Sequence, residues 1–148
     1  MANPTSPTTA TNLQCLVVTP EATVIDTPAE FVALPLYDGE AGIAPGRSPL
    51  IGRLGYGELR IRRPGDAMIH MYVDGGFVQV VDNVVSVLTN RAIPAKSIDT
   101  ATAEEQLRSA LASRAAGKQE MAIRDRLVSQ ARGQLRVARR TTAQSAFH

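Results

Sequence analysis

YVDGGFVQVVDNVVSVLTNRA, residues 72–92, is the stretch on which the fold turns. FVQVV and VVSVLT flank the turn pair Asp82-Asn83, and both faces of VVDNVVSVL are apolar, as a strand inside a two-layer stack requires. Ahead of them Asp74-Gly75-Gly76 separates MIHMYV from FVQVV. Glycine reaches positive φ without strain, so the triplet predicts a hairpin turn between two strands.

Outward from this stretch the same style continues back to residue 13. LQCLVVT, ATVIDT, EFVALPL and GELRIRR are short runs rich in Val, Ile and Leu, parted by Thr-Pro, Asp-Gly, Pro-Gly and Gly-Asp. In GELRIRR, Leu59 and Ile61 fall on one face, with Glu58, Arg60 and Arg62 on the other. Seven to ten short strands at this spacing predict a sandwich or barrel. After Pro94 the style changes. From Asp99 to Arg140 there is no Pro, and Ala, Arg, Glu, Gln and Leu dominate. Asp99 or Thr102 can cap the start, Thr102 with Glu105 forming a capping box, and Gly117 separates two helices. Met121, Val128, Ala131, Leu135 and Ala138 make a narrow stripe on the second helix, answered on the first by Ala103, Leu107, Ala110 and Leu111. The expected architecture is α+β in two parts, a β-sandwich over 13–96 and an antiparallel two-helix hairpin over 97–140. Tails are expected at 1–12 (disordered) and 141–148 (flexible). Because the stripes are half Ala, they bury little, and the hairpin is expected to be held loosely.

Composition narrows function. With no run of about 18 apolar residues, no membrane-spanning helix is expected, and MANPTSPTTATN has neither the basic nor the apolar region of a secretory signal. One cysteine, Cys15, excludes an internal disulfide and multi-cysteine metal sites, and its setting in LQCLVV predicts a buried thiol. Only two histidines are present, His70 in a strand pattern and His148 at the end, so no metal site and no cofactor are expected. His70 reads as structural. No phosphate-binding loop or nucleophile elbow appears, so the chain is expected not to be an enzyme. Charge is uneven: residues 1–100 hold 7 Lys/Arg against 10 Asp/Glu, a balance of −3, and 101–148 hold 9 against 4, a balance of +5. The second helix carries six arginines against Glu120 and Asp125, lopsided enough to suggest acidic partners. DGEAGIAPGRSPL, residues 38–50, is a stiff polar corner with Asp38, Glu40, Arg47 and the apolar Ile43, shaped for contact.

Taken in order, LQCLVVTPEATVID (13–26), GEAGIAPGRSPLIG (39–52), GELRIRR (57–63), YVDGGFVQVVDNVVSVLTNRA (72–92), SID (97–99) and QLRVA (134–138) resemble the epsilon subunit of F-type ATP synthases of the bacterial and chloroplast kind. The resemblance implies a sandwich of about ten strands followed by a helical hairpin. It implies a non-catalytic rotor subunit of the central stalk that couples proton flow to ATP synthesis. Its partners would be the gamma subunit and the ring of c subunits. The location implied is peripheral, on the cytoplasmic face of the bacterial inner membrane or on the thylakoid membrane. By the same resemblance Asp38, Glu40, Ile43 and Arg47 would meet the c-ring. The helices would extend toward the alpha and beta subunits and inhibit hydrolysis through Arg124, Arg126, Arg132 and Arg136. Some relatives bind ATP through an I-D-x-x-R-A motif and arginines on the second helix. Here Thr102 replaces the motif arginine, and Gln130 and Gln134 stand at the helix positions, so no ATP binding is expected. The alternative is a nucleic-acid-binding protein using the basic helices; the acidic sandwich, poor in aromatic residues, speaks against it.

Overall fold

The computed structural model describes residues 12–146, with side chains through Thr141. The expected tail over 1–12 therefore lies, except for Asn12, outside the described residues, as do Phe147 and His148. Eight strands come first: β1 (Leu13–Val18), β2 (Thr23–Ala29), β3 (Phe31–Leu36), β4 (Gly39–Ile43), β5 (Leu50–Arg62), β6 (Ile69–Val81), β7 (Val84–Leu88) and β8 (Ala92–Pro94). A 3₁₀ turn at Ala95–Ser97 leads to α1 (Thr100–Ala112) and α2 (Lys118–Ala146). The strand order is β2-β1-β7-β6-β5-β3-β4, with β8 beside β6. All pairs are antiparallel except β1 with β7.

The sequence anticipated about ten strands; eight form, β5 and β6 each running to 13 residues and β6 absorbing both MIHMYV and FVQVV. Asp74-Gly75-Gly76 is therefore not a hairpin turn. It lies inside β6 and does something else. Val78 and Val80 face the core, and so does Val73, although its odd number would put it on the opposite face of a regular strand. β5 shows the same change of side, with Leu54 and then Leu59 and Ile61 all in one core. The register across the pair stays constant from Leu50↔Val80 to Ile61↔Ile69. The two-strand ribbon thus creases at Gly55 and Gly75-Gly76 and serves both layers. One half pairs with β7 and the other with β3 and β8. Gly76 has φ +108°, and a Cβ there would stand 1.9 Å from the Leu88 carbonyl oxygen. Only glycine fits this crease.

Elsewhere the local code holds. Asp82 and Asn83, with φ of 50° and 64°, make the two-residue turn that joins β6 to β7. Leu13, Cys15, Val17, Ala29, Val32, Leu34, Ile43, Val85 and Val87 complete the core. Burial pushes the Cys15 thiol up to about 12, so it stays protonated and unreactive. Asp99 is the helix cap: its Oδ1 accepts from the Thr102 amide at 3.1 Å and its Oδ2 from the Thr102 hydroxyl at 2.7 Å. With its hydroxyl turned to Asp99, Thr102 forms no capping box with Glu105, which pairs with Arg108 instead. α2 runs on to Ala146, past the expected boundary at 140.

Candidate functional site

Three surfaces gather the residues with chemistry, and the creased ribbon creates all of them. On the outer face of the β7 half stand Ile51, Phe77 and Leu88, at 76%, 59% and 49% exposure. They are exposed because pairings such as Arg53↔Phe77↔Leu88 set these positions opposite the core-facing Val78 and Val87. Tyr37, beneath the Arg53 guanidinium at 4.2 Å, and Val18 continue the patch toward the crease, around a cleft of about 730 Å³.

On the outer face of the other half, α2 lies across β5 and β6. Tyr72, buried at 0%, forms a small second core with Ala95 and Val137, flanked by Tyr56, Ile93 and Ile98. Gly133 lets the helix come this close, since a Cβ would be 2.8 Å from the Tyr56 carbonyl oxygen. Polar contacts register the helix. The Tyr72 hydroxyl donates to Asp74 Oδ1 at 2.8 Å, Gln130 Nε2 donates to Asp74 Oδ2 at 3.3 Å, and Arg91 approaches Oδ2 at 3.6 Å. Burial, reinforced by the Asp74 charge, keeps the Tyr72 hydroxyl protonated far above its ordinary range. Arg140 Nη1 donates to Glu58 Oε1 at 3.0 Å, and Gln106 Nε2 joins α1 to the Leu127 carbonyl of α2 at 2.9 Å. Among the described residues no buried side-chain nitrogen or oxygen lacks a hydrogen-bond partner.

Beside this contact an open groove of about 990 Å³ separates α2 from β3, β4 and β5. Arg126, Arg132 and Arg136 line it, with Arg53 across from them. Arg136 also reaches the Tyr56 carbonyl at 3.5 Å. Arg124 is elsewhere, its Nε donating to the Ala110 carbonyl at 2.9 Å near the end of α1. Three of the four arginines expected to act together therefore share a surface, and the fourth braces the hairpin. Gln130 and Gln134 both lie at the helix–sheet contact, Gln134 being 7% exposed.

The corner at 38–50 is not one loop. Its first half is β4, where Ile43 pairs with Val32 and is 0% exposed. Ile43 is therefore core and not a contact residue, because the register turns it inward. Asp38 and Glu40 are exposed at the β3–β4 turn, with Glu40 Oε2 3.2 Å from Arg60. Arg47 lies past the far end of β4, where the Gly46 amide donates to Asn83 Oδ1 at 2.8 Å. The four expected contact residues are thus split between two ends of the sandwich and its interior. Sequence reasoning missed Val137, which points at Tyr72 instead of α1, and gave buried roles to Met121 and Leu111, which are half exposed. Among the described residues no three His, Cys, Asp or Glu side chains come together as a metal site would require.

A sequence profile of the ATP synthase delta/epsilon chain beta-sandwich domain matches residues 12–95. An ATP synthase epsilon chain of Rhodopirellula baltica is 48% identical over 128 residues, 86% of this chain and 99% of that relative. ATP synthase epsilon chain 1 of Methylococcus capsulatus is 36% identical over 123 residues, 81% of this chain and 87% of its own length. Among solved structures, a chain of the Euglena gracilis mitochondrial ATP synthase OSCP/F1/c-ring superposes with a TM-score of 0.75 at 19% identity, covering 93% of this chain and 82% of that one. A chain of the Tetrahymena thermophila mitochondrial ATP synthase central stalk and c-ring gives 0.68 at 14%, covering 85% and 96%. Those two likenesses are of fold.

Proposed function

Because the chain belongs to the ATP synthase epsilon-chain family, we propose that it works as a rotor subunit without catalysis of its own, gripping the gamma subunit with its sandwich while its hairpin regulates hydrolysis. The observation that carries the reading is the uncovered apolar face at Ile51, Phe77 and Leu88. Three large apolar side chains on neighbouring strands of one face make a protein-binding patch. The neighbouring turn bears Asp38 and Glu40 and is proposed to meet the polar loops of the c-ring. Arg47, a strand length away, lies outside that contact. Among the described residues no helix is long and apolar enough to cross a membrane, and the proposed place is peripheral, on the cytoplasmic face. The relatives above are ATP synthase chains, and no observation favours the nucleic-acid alternative.

Replacing Ile51 and Phe77 together by Asp should leave a folded sandwich that no longer co-purifies with gamma. Each side chain loses apolar burial worth about 2 kcal/mol, so affinity drops by about a thousandfold. Undiminished capture of gamma by the double variant would overturn the assignment of this face.

The hairpin is proposed to leave the sheet and carry Arg126, Arg132 and Arg136 to acidic surfaces of the alpha and beta subunits. Its second core is small, and turning a 99:1 docked preference into a 99:1 extended one needs about 5.5 kcal/mol of differential binding. Removing everything after Ser97 should raise ATP hydrolysis about fivefold in the assembled enzyme while the sandwich still assembles; unchanged hydrolysis would reject the inhibitory role. Gln130 and Gln134, placed against Asp74 and Tyr72, offer phosphates no cation, and the proposed regulation involves no bound nucleotide.

A further inference from the structure

Glu58 touches both α2 and the imidazole ring of His70. Its side chain is 4% exposed. Oε1 accepts from Arg140 of α2 at 3.0 Å, and Oε2 lies 3.1 Å from Nδ1 of His70 on β6. An ionised carboxylate only accepts, so Nδ1 carries the hydrogen whether the ring is neutral or charged. Arg60 stands 3.9 Å from Oε1, with its Nη2 already engaged by Glu40 at 3.2 Å. The His70 side chain is 20% exposed and borders a small cleft with Phe31, Arg60, Arg62 and Met68, open to protons from solvent.

We infer that Glu58 latches the hairpin to the sheet through Arg140, and that proton uptake by His70 opens the latch. The inference rests on the reading that the hairpin can leave. With His70 neutral, Arg140 is the closest cation to Glu58 and the ion pair counts fully toward docking, since its departure leaves the carboxylate only solvent and Arg60 at 3.9 Å. With His70 charged, an imidazolium at 3.1 Å takes over that compensation, and Arg140 becomes dispensable. The surroundings act in the same direction. β5 presents Arg60 and Arg62, and α2 presents Arg140 and Arg136. The facing residues of β3, namely Phe31, Ala33 and Pro35, carry no charge. Of the other acids bordering these clefts, Glu40 of β4 is held by Arg60 and Asp125 of α2 lies along the wider groove. A new positive charge on His70 therefore repels Arg140 while satisfying its partner. Proton and guanidinium compete for one carboxylate, and their coupling is reciprocal.

The test uses the full chain with cysteines introduced at exposed Glu21 and Ser113 and labelled with an energy-transfer pair, Cys15 being shielded. From about pH 8 to about pH 5.5 the ratio of docked to released hairpin should fall about fivefold, through the histidine range. His70→Gln keeps a donor for Glu58 but cannot take up charge; it should dock like the unaltered chain at about pH 8 and stay flat on acidification. Arg140→Gln should already be about fivefold less docked and equally flat. His148→Gln should respond like the unaltered chain. A pH response that survives His70→Gln, that vanishes in His148→Gln, or that strengthens docking in acid would overturn the inference. Release by Arg140→Gln without any response to pH would remove the proton trigger yet leave the mobile hairpin standing. Labels that neither pH nor any variant moves would refute the mobile hairpin as well.

Discussion

Gly76→Ala is expected to lower the stability of the sandwich by about 4 kcal/mol, or about 20 °C in Tm for a unit of this size. Two costs add. The residue sits at φ +108°, and its new Cβ would meet the Leu88 carbonyl oxygen at 1.9 Å and the Thr89 Cα at 2.9 Å. Neither obstacle is a side-chain end that can swing away; both are the backbone at the end of β7. To accommodate the methyl group, β7 must move off β6, and Val85 and Val87 would leave the core with it. Gly65→Ala is the control, because Gly65 has φ +64° with nothing within 4 Å. It carries the conformational cost alone, about 1 kcal/mol. Thermal or urea unfolding of the two variants should differ clearly, and equal midpoints would show that the crease tolerates a side chain.

Gly133→Leu should release the hairpin without harming either part. The leucine Cβ would stand 2.8 Å from the Tyr56 carbonyl oxygen and 3.0 Å from Tyr72 Cε1, so α2 must lift from β5. Val137 then loses its place against Tyr72, and Gln130 loses Asp74. The expected loss is about 3 kcal/mol, a shift of about a hundredfold toward the released state. Leucine is a better helix former than glycine, so α2 itself gains and helicity by circular dichroism should not fall. Amide exchange along β6 around Tyr72 should accelerate, and hydrolysis by the assembled enzyme should fall, because released helices are the proposed inhibitors. Protection at Tyr72 unchanged from the parent chain would sink this account of docking.

These two glycines also mark what the sequence made legible. Alternation in GELRIRR placed Leu59 and Ile61 in the core correctly, since local periodicity is all that such a placement needs. Two glycines after an aspartate signal a positive-φ step, and that much was right. Whether the step reverses the chain or creases it depends on what pairs with it, and Leu54↔Gly76 with Tyr56↔Asp74 is a pairing over some twenty residues. The burial of Ile43 was hidden for the same reason, being set by Val32 across a register that no window contains. The helical stripe was half legible. Ala131 and Leu135 are buried as read, but a helix that packs on a helix and a sheet at once has two apolar faces, and Val137 belongs to the second. Glu58 and Arg140, separated by 82 positions, meet only through tertiary folding, so nothing local could have joined them.

The creased ribbon has a mechanical consequence. Eleven pairs in one constant register span both halves of the module, interrupted only at Gly55, so shear applied to one sheet loads the same ladder that anchors the other. Two sheets joined only by packed side chains could slide at their interface under a twisting shaft. Here such slippage would have to rupture backbone hydrogen bonds collectively, which makes the unit a torsionally stiff coupling whose compliance is left to the helices outside it.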